Sequence, residues 1–272
     1  MHIKEFYKFF TKLILLLWFV LSCDKVSIDP CVDCDRIDMI LTEFKSDSLS
    51  ILEKQNLLNQ AEDLCEDLES DSLRSLYLFK ISNKLFKLKN YQNFRNLSEE
   101  YLQIAITNND TLRIADYYWN MGIYYSKIEV SDSAFFNFKM AGQKFRDIGH
   151  NYYEAKMDYN MAFLLRRSRN YIESEAYAYK SIMKLDSIEH KVLLYRNLNH
   201  LGLLYYDMKQ YDHSENHHEK ALDLVSVLPN KSVYLERTLN NLSLVYQKQQ
   251  EYELAIQTIN QALENKQLEK QH

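Results

Sequence analysis

Three clustered histidines, a paired set of cysteines and many carboxylates are the candidate reactive groups of this 272-residue chain. His213 and His217 stand four apart with His218 beside them, which puts two imidazoles on one helical face, as a metal site requires. Only Glu215 and Glu219 lie near, and no third ligand is spaced to complete a coordination shell, so no metal is expected. By repeat alignment His213 and His217 fall on the outer face of a helix and His218 at a packing position. Cys31 and Cys34 form C-V-D-C in an acidic stretch. A redox pair needs a preceding strand and a helix N-terminus to lower the thiol pKa, and a zinc site needs two more ligands. A local disulfide or two idle thiols are the readings left. Cys65, in A-E-D-L-C-E-D-L, shares a helical face with Ala61, Leu64 and Leu68 and reads as a packing residue. There is no G-x-S-x-G, no H-E-x-x-H and no carboxylate pair in a pocket context, so no catalytic residue, cofactor or small-molecule substrate is expected.

Any such residues would be carried on helices. With 46% hydrophobic and 26% charged residues the chain can bury a core, but it holds only 4 Gly and 2 Pro. Average usage would give roughly 33. Turn-rich β architectures are excluded, and glycines at Gly122, Gly142, Gly149 and Gly202 alone can write neither G-x-G-x-x-G nor G-x-x-x-x-G-K-[ST]. A net charge of −5 offers no polycation for nucleic acid. The charge is uneven: Asp24 to Asp71 carries 14 acidic and 4 basic residues, an acidic front before a mildly basic body.

Lys4, Lys8 and Lys12 precede an uninterrupted apolar run, Leu13 to Leu21, of signal-peptide rather than membrane-spanning length. The V-L-S-C directly after it resembles the lipobox of bacterial lipoproteins. That resemblance implies a signal peptide over 1–22 and Cys23 as the first mature residue, its thiol carrying diacylglycerol and its amine a further acyl chain. Several chains, at about 0.8 kcal/mol per buried methylene, anchor a domain stably. An acidic tether is expected over 23–36, and the bacterial cell envelope as location.

A repeat organises the body. Tyr91, Ser131, Tyr171, Tyr211 and Tyr252 are spaced by forty or forty-one residues, and nine residues before each stands Ser82, Gly122, Ala162, Gly202 or Ser243, all small. Three residues after it come Phe94, Ala134, Ser174, Ser214 and Ala255. Small residues facing one another let two helices approach to the short end of the usual 8 to 10 Å separation. Each unit therefore reads as two amphipathic helices joined by a short turn.

The motifs N-M-G-I-Y-Y (Asn120 to Tyr125) with Ala134, Phe138 and Ala141, L-G-L-L-Y-Y (Leu201 to Tyr206) with Ala221-Leu222, and Ala255 with Ala262-Leu263 resemble the tetratricopeptide repeat, in its long-helix branch. Asp158 departs from the pattern, standing where that family has an aromatic or apolar residue. The resemblance implies an all-α, right-handed α-solenoid of about five helical hairpins over 37–272, with an N-terminal cap over 37–72 and repeats starting near 75, 115, 155, 195 and 236.

The resemblance further implies that the first helices line a concave groove. Residues two and three before the small position look into it: Asn120, Asn160, His200 and Asn241, with Trp119 and Tyr159. Asparagines in file can pair with the backbone of an extended peptide. Arg166, Arg167, Arg196 and Arg237, with Lys156 and Lys248 against Asp116 and Asp207, make the groove net basic and favour acidic or carboxylate-ended ligands. The expected partner is a protein or extended peptide held by a membrane-anchored adaptor. A sensory ectodomain, or part of a longer regulator, and an outer-membrane or cell-wall assembly lipoprotein are the alternatives. Replacing Cys23 by Ser is expected to abolish metabolic palmitate labelling and release the chain from membranes. Retained labelling in that variant would refute the lipidation site.

Overall fold

The computed structural model describes residues 31–185 and 190–269, so Cys23 and the segment before it lie outside the described residues. The described chain forms twelve helices: α1 (Val32–Glu43), α2 (Ile51–Glu66), α3 (Asp71–Lys87), α4 (Tyr91–Thr107), α5 (Thr111–Lys127), α6 (Ser131–Asp147), α7 (Asn151–Arg167), α8 (Tyr171–Met183), α9 (Lys191–Asp207), α10 (Tyr211–Val225), α11 (Lys231–Gln249) and α12 (Tyr252–Glu269). Five hairpins, α3/α4 to α11/α12, follow the repeat, and α1/α2 packs before them as a cap. The first helices begin about four residues ahead of the expected starts, because Ser70 and Asp110 cap α3 and α5 by accepting from the Leu73 and Arg113 amides. The expected tether is also corrected. Its last residues belong to α1, where Cys31 is the N-cap, a disulfide joins Cys31 to Cys34, and Ile37 is fully buried against α2 and α3. Among the described residues no helix is long and apolar enough to cross a membrane.

Why the period is forty is visible at the turns. Most repeat helices are seventeen residues long and end in the same three-residue connection. Its middle residue is left-handed at Lys89, Asn109, Glu129, Gly149, Arg169 and Lys209, with φ between 54° and 71°, and Gln250 in the two-residue α11/α12 turn takes the same conformation at 69°. In the α3/α4 turn the Lys89 amide donates to the Phe86 carbonyl and the Asn90 amide to the Leu85 carbonyl. The latter bond recurs from Asp110 to Ala105, Val130 to Tyr125, His150 to Phe145, Asn170 to Leu165, Gln210 to Tyr205 and Glu251 to Tyr246. This is the Schellman closure, which satisfies the last carbonyls of a helix while reversing the chain. The same residue then starts the following helix, so two helices and two turns sum to the repeat.

Within a hairpin the small residues meet. A Cβ on Gly122 would lie 2.5 Å from the Phe138 ring, and one on Gly202 would lie 2.5 Å from the His218 ring. Ser174 Oγ donates to the Ala162 carbonyl and Ser214 Oγ to the Gly202 carbonyl, tying second helix to first. Between hairpins, α3 touches α5, α7 touches α9 and α9 touches α11, whereas successive second helices stay apart. The inner side of an arc is its shorter side, so the first helices form the concave face. The exception is α5 and α7, which are not packed on one another in this way.

Non-glycine residues in the left-handed region carry a steric cost that glycine avoids. Lys209→Gly is expected to stabilise the chain by about 0.5 kcal/mol and Gly149→Ala to destabilise it by about 1 kcal/mol, read from urea unfolding midpoints.

Candidate functional site

The gap between α5 and α7 opens a pocket of about 530 Å³ on the concave face. Ile123, Ser126 and Lys127 of α5 form one wall, Tyr159, Asn160, Phe163 and Arg167 of α7 the other, and Phe86 and Phe138 complete the lining. Phe163 and Arg167 also border a second cleft of about 590 Å³, shared with Arg166, Arg169, Tyr171 and Asp207. Phe163 keeps 39% of its surface exposed, which for a large aromatic ring on a rigid helix leaves apolar area available for contact.

The groove residues expected from the sequence are partly brought together here and partly withdrawn. Tyr159, Asn160 and Arg167 line the first pocket, and Arg166 and Arg167 the second. The Asn160 amide forms no hydrogen bond within the described residues and faces the pocket. The file of asparagines is otherwise corrected. Asn120 is buried, its Nδ2 3.5 Å from the Tyr101 hydroxyl, and Asn241 donates to Asn199 Oδ1 at 2.8 Å. Trp119 is half-buried between Phe145 and Tyr153, with the Lys156 ammonium 4.3 Å from its ring centroid. His200 does not face the groove. It is buried at 2% exposure, 3.0 Å from Ser174 Oγ and edge-on to the Tyr159 ring.

The charges divide into compensated and uncompensated sets. Arg166 is paired with Asp207 at 2.8 Å and Arg167 with Glu129 at 3.1 Å. Lys156, Arg196 and Arg237 have no carboxylate partner among the described residues. Burial raises the pKa of the Tyr159 phenol while Arg196, Arg237 and Arg166 pull it back down, and burial together with Arg196 lowers that of the Lys156 ammonium. The concave face around α7, α9 and α11 is thus an electropositive surface with a partly buried phenol at its centre.

The departure at Asp158 has a structural cause. Asp158 and Glu154 are both buried on α7 and receive Lys184, which bonds Asp158 and reaches Glu154 at 2.8 Å, with Lys180 and Arg146 at the rim. Burial pushes the Glu154 carboxyl up, but Lys184 and Arg146 outweigh it and hold it below its ordinary value. These ion pairs join α6, α7 and α8 where other repeats use apolar contacts.

The histidines are structural. His217 is corrected from the outer face to the interior: its ring stacks on Tyr205 at 5.2 Å and meets the Tyr179 hydroxyl at 3.3 Å. His218 is fully buried against Gly202, neither ring nitrogen bonded. His213 is exposed. Among the described residues no group of three or more His, Cys, Asp and Glu is placed to hold a metal ion. Sequence reasoning missed Phe163 and Lys127. The signal was available, since Phe163 follows the small residue Ala162 directly, on the same face as the expected groove residues.

Residues 193–267 match the family model described as tetratricopeptide repeat. The fold is that of BtubC from P. vanneervenii, with 17% identity, a TM-score of 0.68, and 87% of this chain and 93% of that chain covered. The apo quorum sensor NprR from B. thuringiensis superposes at a TM-score of 0.67 with 15% identity, over 86% of this chain and 63% of that one. NprR in complex with its cognate peptide NprX gives 0.58 and 15%, over 85% and 65%. This chain therefore spans less than two thirds of NprR. No curated protein matches the sequence.

Burial holds His200 and His218 neutral with pKa about 3 and His217 with pKa about 4, against about 6.5 when unfolded. Unfolding therefore takes up protons below pH 6.5, so their contribution to stability is complete above that pH and is lost as pH falls. Asp116, raised to about 6 by burial despite Arg113, opposes this by one proton. Urea midpoints are expected to drop from pH 7.5 to pH 5, with a net uptake of about two protons on unfolding near pH 5, and His218→Leu is expected to remove one of them.

Proposed function

We propose that this tetratricopeptide-repeat solenoid is a protein-interaction scaffold, tied to the bacterial cell envelope by a lipid on Cys23, which holds an extended segment of a peptide or protein partner across its first helices. The observation that carries the reading is the pocket between α5 and α7, where apolar surface from Ile123 and Phe163 lies beside the unengaged Asn160 amide. Such a pocket takes a partner's apolar side chain, while the amide can donate to and accept from the partner's backbone. Lys127 at the rim adds attraction for negative charge, while Arg167 is already paired with Glu129.

The complex of NprR with its cognate peptide NprX supports the reading, since a protein of similar fold binds a peptide. A second reading is a sensory module of a larger regulator, which the likeness to a quorum sensor favours. The two share the binding face and differ in the event that capture triggers. Catalysis has no part in either.

A photo-crosslinker placed at Lys127 in the full chain tests the face. It is expected to yield a defined adduct in native membranes, and Asn160→Ala with Phe163→Ala is expected to cut that yield about fivefold or more without lowering the unfolding midpoint. An adduct indifferent to the double substitution, or no adduct, would refute the groove as the binding face.

A further inference from the structure

We infer that the concave face reads charge spacing as well as charge: Lys156, Arg196 and Arg237 form a register, one cation per repeat, for carboxylates three residues apart on an extended acidic peptide. The inference rests on the concave groove being the binding face and specifies the chemistry of its ligand.

All three residues occupy one repeat position, six before the small residues Ala162, Gly202 and Ser243. They lie on consecutive first helices, α7, α9 and α11, so forty-residue spacing in sequence becomes neighbouring rows in space. Arg196 and Arg237 are exposed, Lys156 is half-buried beside Trp119, and none has an acidic partner among the described residues. Elsewhere on the first helices the arginines are matched: Arg166 with Asp207, Arg167 with Glu129, Arg113 with Asp116. The register begins at α7, because the same position on α5 is Asp116, already held by Arg113. The rows are electrostatic neighbours, since Arg196 bears on both the Tyr159 phenol and Lys156, and Arg237 bears on the same phenol. Like charges set in a row repel one another, and a row of carboxylates removes that repulsion.

Helix packing supplies the spacing. α7 touches α9 and α9 touches α11, which for packed helices means axes about 8 to 10 Å apart. An extended chain rises about 3.3 Å per residue, so three residues advance about 10 Å and match one repeat. In a helical ligand three residues advance only about 4.5 Å, out of step with the rows. The register therefore selects an extended ligand.

Two labelled peptides of identical composition and charge test this against the full chain by fluorescence anisotropy: Glu-Ser-Thr-Glu-Ser-Thr-Glu and Glu-Glu-Glu-Ser-Thr-Ser-Thr. At about 0.15 M salt, where diffuse attraction is screened beyond about 8 Å, the spaced peptide is expected to bind about tenfold tighter. Arg196→Gln with Arg237→Gln should reduce the preference to less than about twofold, whereas Asn160→Ala should weaken both peptides and leave the preference standing. Equal binding, no binding of either peptide, or a preference that survives the arginine substitutions would overturn the register. The crosslinking yield from Lys127 judges the groove separately, so failure of the register is distinguishable from failure of the groove.

Discussion

How closely the two helices of a hairpin can approach governs everything else in the fold. A hairpin cannot bury its own apolar face, and stacking neighbours is the only way to close the core. Close approach at the small positions makes each hairpin flat enough to stack. The residue across the contact compensates for the one that is missing. Where the first helix has Gly122 or Gly202, the second supplies the ring of Phe138 or His218. Where it has Ala162, the equivalent partner is the small Ala178, buried in the same cluster. What fills the contact differs from repeat to repeat, but the first helix keeps a small residue there in each, in line with the close packing of protein interiors.

That constraint also explains why polar residues that look functional are buried. His218 lies where an aromatic ring is required over a glycine, and it fills the space at the cost of two unbonded nitrogens. His200 is engaged by Ser174, which itself bonds the small-residue carbonyl of Ala162. Asp158 and Glu154 would be costly alone in the interior, but Lys184 brings a countercharge from the end of α8. In each case the side chain serves the seam between helices, and the groove is left to residues one helical face away.

On that face the electrostatics separates residues that composition does not. Arg166 and Arg196 are both arginines on first helices, yet Arg166 has Asp207 within 2.8 Å and Arg196 has no acid. Fixed ion pairs at partly exposed sites contribute little to stability and neutralise the field locally. Unpaired cations held in a row project a field that an anionic partner can use. The gap at α5 and α7 adds apolar surface at one end of the row, so the concave face offers two kinds of contact side by side.

The architecture is legible in the order of amino acids alone. A forty-residue period with small residues in fixed places, almost no glycine or proline, and apolar residues at helical spacing admit one economical solution, because local hydrogen bonding and burial act on near neighbours and leave a periodic trace. The same pattern locates the face, since Tyr159, Asn160, Arg166 and Arg167 do line the clefts. It does not reveal which members of an aligned row remain available. Asn120, Asn160 and Asn241 are alike in the alignment, but Tyr101 and Asn199, nineteen and forty-two residues away in the chain, engage two of them and leave the third. Equally, no local pattern foretells that α1 begins inside the acidic front, or that α5 and α7 stand apart. Such outcomes depend on which side chains from neighbouring repeats compete for the same space and the same hydrogen bonds, and that competition exists only once the helices are stacked.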